Sequence, residues 1–162
     1  MRATRFGAAV VAVLAILASP GTAHAATITQ SFYADSGDAC RYGVTDGTLG
    51  WRFGTISPLP VIAVDVKGKL TDRPLPTDPV TVCRDDGYYS IATFVAYAGS
   101  VEVDRQARAA NNNVVTFEFT LGTNSTSTRI DRIVIQVCRS PINTLPPTYC
   151  GKAVEYRAPP TA

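Results

Sequence analysis

The 162 residues carry fifteen basic and thirteen acidic side chains, and the surplus of two is supplied by Arg2 and Arg5 near the N-terminus. Beyond them thirteen basic side chains face thirteen acidic ones without a basic run, so the chain lacks the electrostatic footprint of a nucleic-acid binder or a polybasic membrane binder. The one histidine is His24, within the leader described next; without it there is no imidazole for Ser-His-Asp or Cys-His catalysis, for a histidine metal site or for a histidine pH switch.

Arg2 and Arg5 are followed by an uncharged apolar run from Phe6 to Ala18, then Ser19-Pro20-Gly21 and the small-residue pattern Ala23-His24-Ala25. This is the order of a secretory signal peptide, expected to span residues 1–25 and to be cleaved after Ala25. The apolar run is shorter than the roughly 20 residues that cross a bilayer, so no retained anchor is expected. The reading is a protein released to the cell exterior, and the excess of arginine over lysine, with abundant Ala, Val, Gly and Pro, suits a high-GC bacterial source.

Residues 26–156 are expected to form one domain, because no linker, repeat or low-complexity block divides them. Short β-branched and aromatic runs alternate with a period of two and are separated by Gly, Asn, Asp and Pro, which is strand chemistry. In chain order, Thr27 to Tyr33 reads as the first strand. Cys40–Val44 and Thr48–Phe53 flank Asp46-Gly47, a two-residue turn signal that predicts a hairpin. Leu49, Trp51 and Phe53 alternate onto one face and read as core. Val61 to Leu70 sets Ile62, Val64, Val66 and Leu70 against Asp65, Lys67 and Lys69. Tyr88 to Ala98 is apolar on both faces and reads as a central strand. Val101–Arg105 and Val114–Leu121 suggest a hairpin around Asn111-Asn112-Asn113, with Val115, Phe117, Phe119 and Leu121 on the core face. Ile130–Cys138 and Gly151–Tyr156 complete the set, and 157–162 reads as a disordered tail. Seven to nine short strands without a helical stripe predict an all-β antiparallel sandwich, immunoglobulin-like or jelly-roll-like, with a closed barrel as the alternative.

Cys40, Cys83, Cys138 and Cys150 lie in the exported part at spacings unlike zinc motifs, so two disulfides are expected. Three pairings exist; Cys40–Cys83 with Cys138–Cys150 is favoured, since the last two close a short loop holding three prolines. A Cys40–Cys83 bridge would bring Asp35 and Asp38 toward Asp85 and Asp86. Four carboxylates on loops are candidate ligands for Ca²⁺, although Asp-Ser-Gly-Asp and Asp-Asp-Gly are equally ordinary turn sequences. Tyr42, Tyr88, Tyr149 and Tyr156 fall near turns or strand ends, where exposed rings would serve binding.

Cys138-Arg-Ser-Pro-Ile-Asn-Thr-Leu-Pro-Pro-Thr-Tyr-Cys150 is the most distinctive segment. With Arg139-Ser140 and the later Pro146-Pro147 inside a disulfide, it resembles the reactive loops of small serine-protease inhibitors of the Bowman–Birk kind. That resemblance implies Arg139 as the residue entering a trypsin-like specificity pocket, although the loop is longer than theirs and Arg139 directly follows the cysteine. Leu145-Pro146-Pro147-Thr148 is similar to the start of a sortase signal but has Tyr149 where glycine is required. The leading expectation is a monomeric, secreted, non-enzymatic binding module for a carbohydrate or a protein, with Arg139, Ser140, Tyr149 and Tyr88 as candidate contacts and no cofactor other than Ca²⁺ in view. A protease inhibitor and a histidine-independent Asp/Glu hydrolase are the alternatives.

Overall fold

The computed structural model describes residues 27–54, 60–78, 84, 86–122, 129–143 and 149–160, so the leader expected over 1–25 lies outside the described residues. The strands are β1 (Thr27–Asp35), β2 (Gly43–Phe53), β3 (Val61–Asp72), β4 (Tyr88–Ala98), β5 (Val101–Ala110), β6 (Val114–Gly122), β7 (Arg132–Pro141), β8 (Tyr149–Cys150) and β9 (Val154–Arg157). They form two antiparallel sheets, one in the order β1-β2-β3-β6 and the other β5-β4-β7-β8, with β9 also paired to β7. The expected sandwich is what forms, not a closed barrel. No helix among the described residues is long and apolar enough to cross a membrane.

Period-two alternation explains the layering, because each strand turns one row of side chains inward. Phe32, Leu49, Trp51, Val64, Val66, Leu70 and Leu121 come from the first sheet, and Phe94, Ile133, Ile135 and Val137 from the second; all are buried. Phe94, on the central strand β4, meets Phe32, Phe117 and Phe119 edge-on with ring centroids 5.7, 5.2 and 5.3 Å away. Each such pair adds about 0.5–1.5 kcal/mol beyond the area it buries. Trp51 lies wholly inside, and its indole N–H donates to Gln30 Oε1 at 3.1 Å. The β1 edge is closed against β9 by one hydroxyl: Tyr156 Oη accepts from the Tyr33 N–H and donates to the Tyr33 carbonyl, both at 2.8 Å. Tyr156, expected to be an exposed ring, is thus half-buried against the core.

Four local expectations are corrected. Asp46-Gly47 is not a turn, because β2 runs unbroken through it. Gly47 pairs with Gly68 across the β2–β3 ladder, and a Cβ on Gly47 would lie 2.2 Å from the Lys67 carbonyl oxygen and 2.9 Å from the Phe32 ring. Glycine serves there for close approach and not for a positive φ. Ile62 does not join the core row, since the register shifts between Arg52 and Phe53 and Val61 takes the inward place instead; a bulge reverses alternation locally. β5 and β6 do not pair as a hairpin: β5 pairs with β4 and β6 with β3, so Asn111–Asn113 carries the chain from one sheet to the other. Finally, Arg157 ends β9 and the Ala158 N–H bonds the Asp131 carbonyl at 3.0 Å, so the predicted tail begins within ordered structure.

Gly47→Ala or Gly68→Ala should cost about 3 kcal/mol, the upper end of overpacking penalties, because the added methyl meets backbone that cannot yield. Gly50→Ala, where the nearest atom to the new Cβ is 3.5 Å away, should stay within about 0.5 kcal/mol. Urea denaturation midpoints at constant slope check both.

Candidate functional site

β7 sends Ile133, Ile135 and Val137 into the core, and the next inward position is Arg139. β3 does the same with Val64, Val66 and Leu70, and its next inward position is Asp72. The two side chains meet between the sheets at one end of the sandwich, both wholly buried. Arg139 Nη1 donates to Asp72 Oδ1 and, at 2.9 Å, to Ser90 Oγ, while Nη2 donates to Asp86 Oδ1 at 2.6 Å. The Ser90 hydroxyl donates to the same Asp72 oxygen at 2.5 Å, and Asp72 Oδ2 accepts the Asn112 N–H at 2.8 Å. Asp72 therefore holds β7, β4 and the crossing between β5 and β6 through one carboxylate. Tyr42 lies over the guanidinium at 4.8 Å and Tyr88 at 6.0 Å, both within cation–π range.

Burial pushes the Asp72 carboxyl upward, against the hydrogen bonds of Ser90 and Asn112 and the charge of Arg139. Burial alone would lower Arg139, but the Asp86 hydrogen bond and the charges of Asp72 and Asp86 outweigh it and hold the guanidinium above its ordinary value. Arg139 is a fixed internal cation. The implication of the loop resemblance is accordingly corrected: the Arg139-Ser140 bond cannot enter a protease, since both residues are wholly buried and the guanidinium is committed to two carboxylates.

The acidic turns at this end are engaged with their own backbone. Asp35 Oδ1 accepts the Gly37 N–H at 2.9 Å, and Asp38 accepts the Tyr42 N–H at 3.1 Å and the Ser36 hydroxyl. Asp86 accepts the Tyr88 N–H at 3.0 Å besides Arg139. These carboxylates close turns around their own backbone. Asp85 lies outside the described residues, and among those described no group of three or more His, Cys, Asp or Glu could hold a metal ion.

Cys138 and Cys150 are joined, as expected, directly across the β7–β8 ladder. Cys40 is disulfide-bonded too, but Cys83, the partner expected for it, lies outside the described residues. β8 has two residues, and its register partners are Cys138 for Cys150 and Arg139 for Tyr149. The disulfide therefore seats Tyr149 above the buried arginine. Tyr149 is 37% exposed and Ile142 is 52% exposed, and the Tyr149 ring sits 6.1 Å from that of half-buried Tyr88. Burial raises the Tyr149 phenol, the charges of Asp38 and Asp86 add to this and Arg139 opposes it, so the ring is neutral at physiological pH.

Of the residues singled out from sequence, Arg139, Tyr88, Tyr149, Asp38 and Asp86 come together, while Ser140 is buried in β7. Asp72 and Ser90 were missed, although Asp72 continues the apolar row of β3 and that phase was a readable signal. Comparison with known proteins returns nothing: no protein-family model matches the chain, and no curated protein and no solved structure matches it.

Arg139→Met should cost about 3–5 kcal/mol, because it strands the Asp72 charge in the core. Combining it with Asp72→Leu should recover a large part of that loss. Chemical denaturation of the two singles and the double gives the coupling directly; simple additivity would mean that the pair does not act as a unit.

Proposed function

We propose that the protein is a secreted, monomeric, non-enzymatic binding module, and that its tyrosine-bearing end engages an extracellular carbohydrate. The secretory leader in the sequence supports export, and the disulfides suit an oxidising exterior. The observation that carries the reading is Tyr149: a neutral, partly exposed ring, stapled by Cys138–Cys150, beside turns that bear Asp38 and Asp86. A rigid ring offers contact area at low entropic cost, and a sugar presents a CH-rich face for it and hydroxyls for flanking carboxylates. The hydrolase alternative loses support at this end, because Asp72 and Ser90 are sealed in the core with Arg139. A protein ligand is the second reading, favoured by exposed Ile142, which a sugar would not need.

Affinity electrophoresis through gels holding soluble neutral or acidic polysaccharides tests the proposal. The protein should be retarded by at least one of them, and Tyr149→Ala should weaken that interaction about tenfold, equivalent to roughly 1.4 kcal/mol, at a temperature where circular dichroism shows the variant folded. Undiminished retardation of Tyr149→Ala would remove this end as the site. Absence of retardation in every gel would count against a carbohydrate ligand.

A further inference from the structure

The outer face of the β1-β2-β3-β6 sheet carries a shallow, open groove of about 490 Å³ that spans β2, β3 and β6. Its floor is backbone, the row Gly47–Gly68–Phe117, whose positions are register partners and whose side chains, where present, turn inward. Its walls are the outward residues on either side. Asp46, Lys69 and Thr116 are partners across three strands and form one wall; Lys67 and Glu118 form the other. Two residues of strand separate the walls, roughly 6.5 Å. The Asp46 row continues onto the edge strand, where Tyr33 is its register partner. Tyr33 is 44% exposed, and its hydroxyl donates to Asp35 at 3.0 Å, which steadies the ring.

The charges in these walls cancel locally. Lys67 reaches Glu118 at 3.5 Å and Lys69 reaches Asp46 at 3.9 Å, so each ammonium has a carboxylate and neither sign dominates. An ammonium has three donors and a carboxylate about four acceptor sites, so one long contact each leaves most of that capacity free. A polyanion would meet Asp46 and Glu118 as well as the lysines, and a polycation would meet the reverse. A chain of neutral vicinal hydroxyls, each donating and accepting at once, meets a partner on both walls.

We propose that this groove is a second binding surface, independent of the Tyr149 end, and that its occupant is a neutral polysaccharide chain lying across the strands with Tyr33 stacking at one end. Charge complementarity selects that occupant: a net-neutral groove with spare donors and acceptors on both walls, bordered by one fixed aromatic ring.

The experiment uses the full mature chain carrying Tyr149→Ala, so that loss of the first surface cannot be mistaken for loss of the second. Gels contain dextran, soluble xylan, galactomannan or, as the polyanion, dextran sulfate. At least one neutral polymer should retard this protein. Adding Lys67→Ala with Glu118→Ala, which keeps net charge unchanged, should weaken that retardation at least tenfold, as should Tyr33→Ala. The Lys67 and Glu118 side chains are 71% and 73% exposed, so the melting temperature of the double variant should not move. Thr29→Ala, on the same strand face but away from the groove, should bind fully. The proposal is overturned if no neutral polymer retards the Tyr149→Ala protein, if the Lys67/Glu118 variant binds undiminished, or if dextran sulfate alone is bound. Concentration-dependent dimerisation that the same substitutions abolish would make the groove a contact between copies and would also overturn it.

Discussion

The ion pair between Arg139 and Asp72 is the constraint on which the arrangement of this sandwich depends. Each residue ends an inward apolar row, one from either sheet; without Arg139 the Asp72 charge would be buried and uncompensated, and without Asp72 the guanidinium would keep only Asp86. Burial of two charges is not a source of large net stability, because desolvation offsets most of the attraction. What the pair supplies is geometry. Asp72 also receives Ser90 and the Asn112 N–H, so the end of β3, the start of β4, the end of β7 and the crossing from β5 to β6 meet at one carboxylate. The tyrosine-bearing end is built on this point, since Tyr42 and Tyr88 lie over the guanidinium and Tyr149 is the register partner of Arg139.

Most of the strand pattern was legible because alternation is a local property. Leu49-Trp51-Phe53, the two-faced β4 and the alternation of β6 all follow from side-chain period alone. The misreadings occur where a long-range contact overrides a local signal. Asp46-Gly47 has the chemistry of a hairpin turn, yet Gly47 is needed because Gly68 and Phe32 crowd it from neighbouring strands. Asn111–Asn113 has the composition of a hairpin loop, yet the strands on either side belong to different sheets, and which sheet a strand joins is decided by its pairing partner. Ile62 departs from its row because a bulge adds a residue on β3 opposite Arg52 and Phe53.

The site was legible as a set of residues but not as an arrangement. Acidic turns and tyrosines near strand ends were visible, and the structure gathers several of them. Arg139 was misread because a basic residue beside a cysteine in a proline-rich loop suggests display, whereas strand phase places it inward. The same phase argument applied to β3 puts Asp72 inward. Two opposite charges, each next in line after three buried aliphatics, could have been paired from sequence. The residues around the outer groove gave no comparable signal, because Asp46, Lys67, Lys69, Thr116 and Glu118 are what any wet strand face carries, and only the register sets them opposite one another.

Charge is used in opposite ways on the two faces of the β1-β2-β3-β6 sheet. Inside, one carboxylate and one guanidinium are desolvated, and all but one of the guanidinium N–H groups are directed at fixed partners. That specificity matters in a sandwich whose apolar rows are otherwise similar: a slip of two residues along β3 or β7 would keep aliphatic side chains facing the core, so packing alone would penalise it weakly. The same slip would separate Arg139 from Asp72 and leave the Asp72 charge buried and unpaired, at a cost of several kcal/mol. The ion pair thus rejects a misaligned sandwich that hydrophobic burial would tolerate. Outside, the cross-strand pairs Lys67–Glu118 and Lys69–Asp46 are long and solvated, contribute little to stability and keep spare hydrogen-bonding capacity. One set of charges selects the register of the sheets, and that register in turn places the other set around a groove.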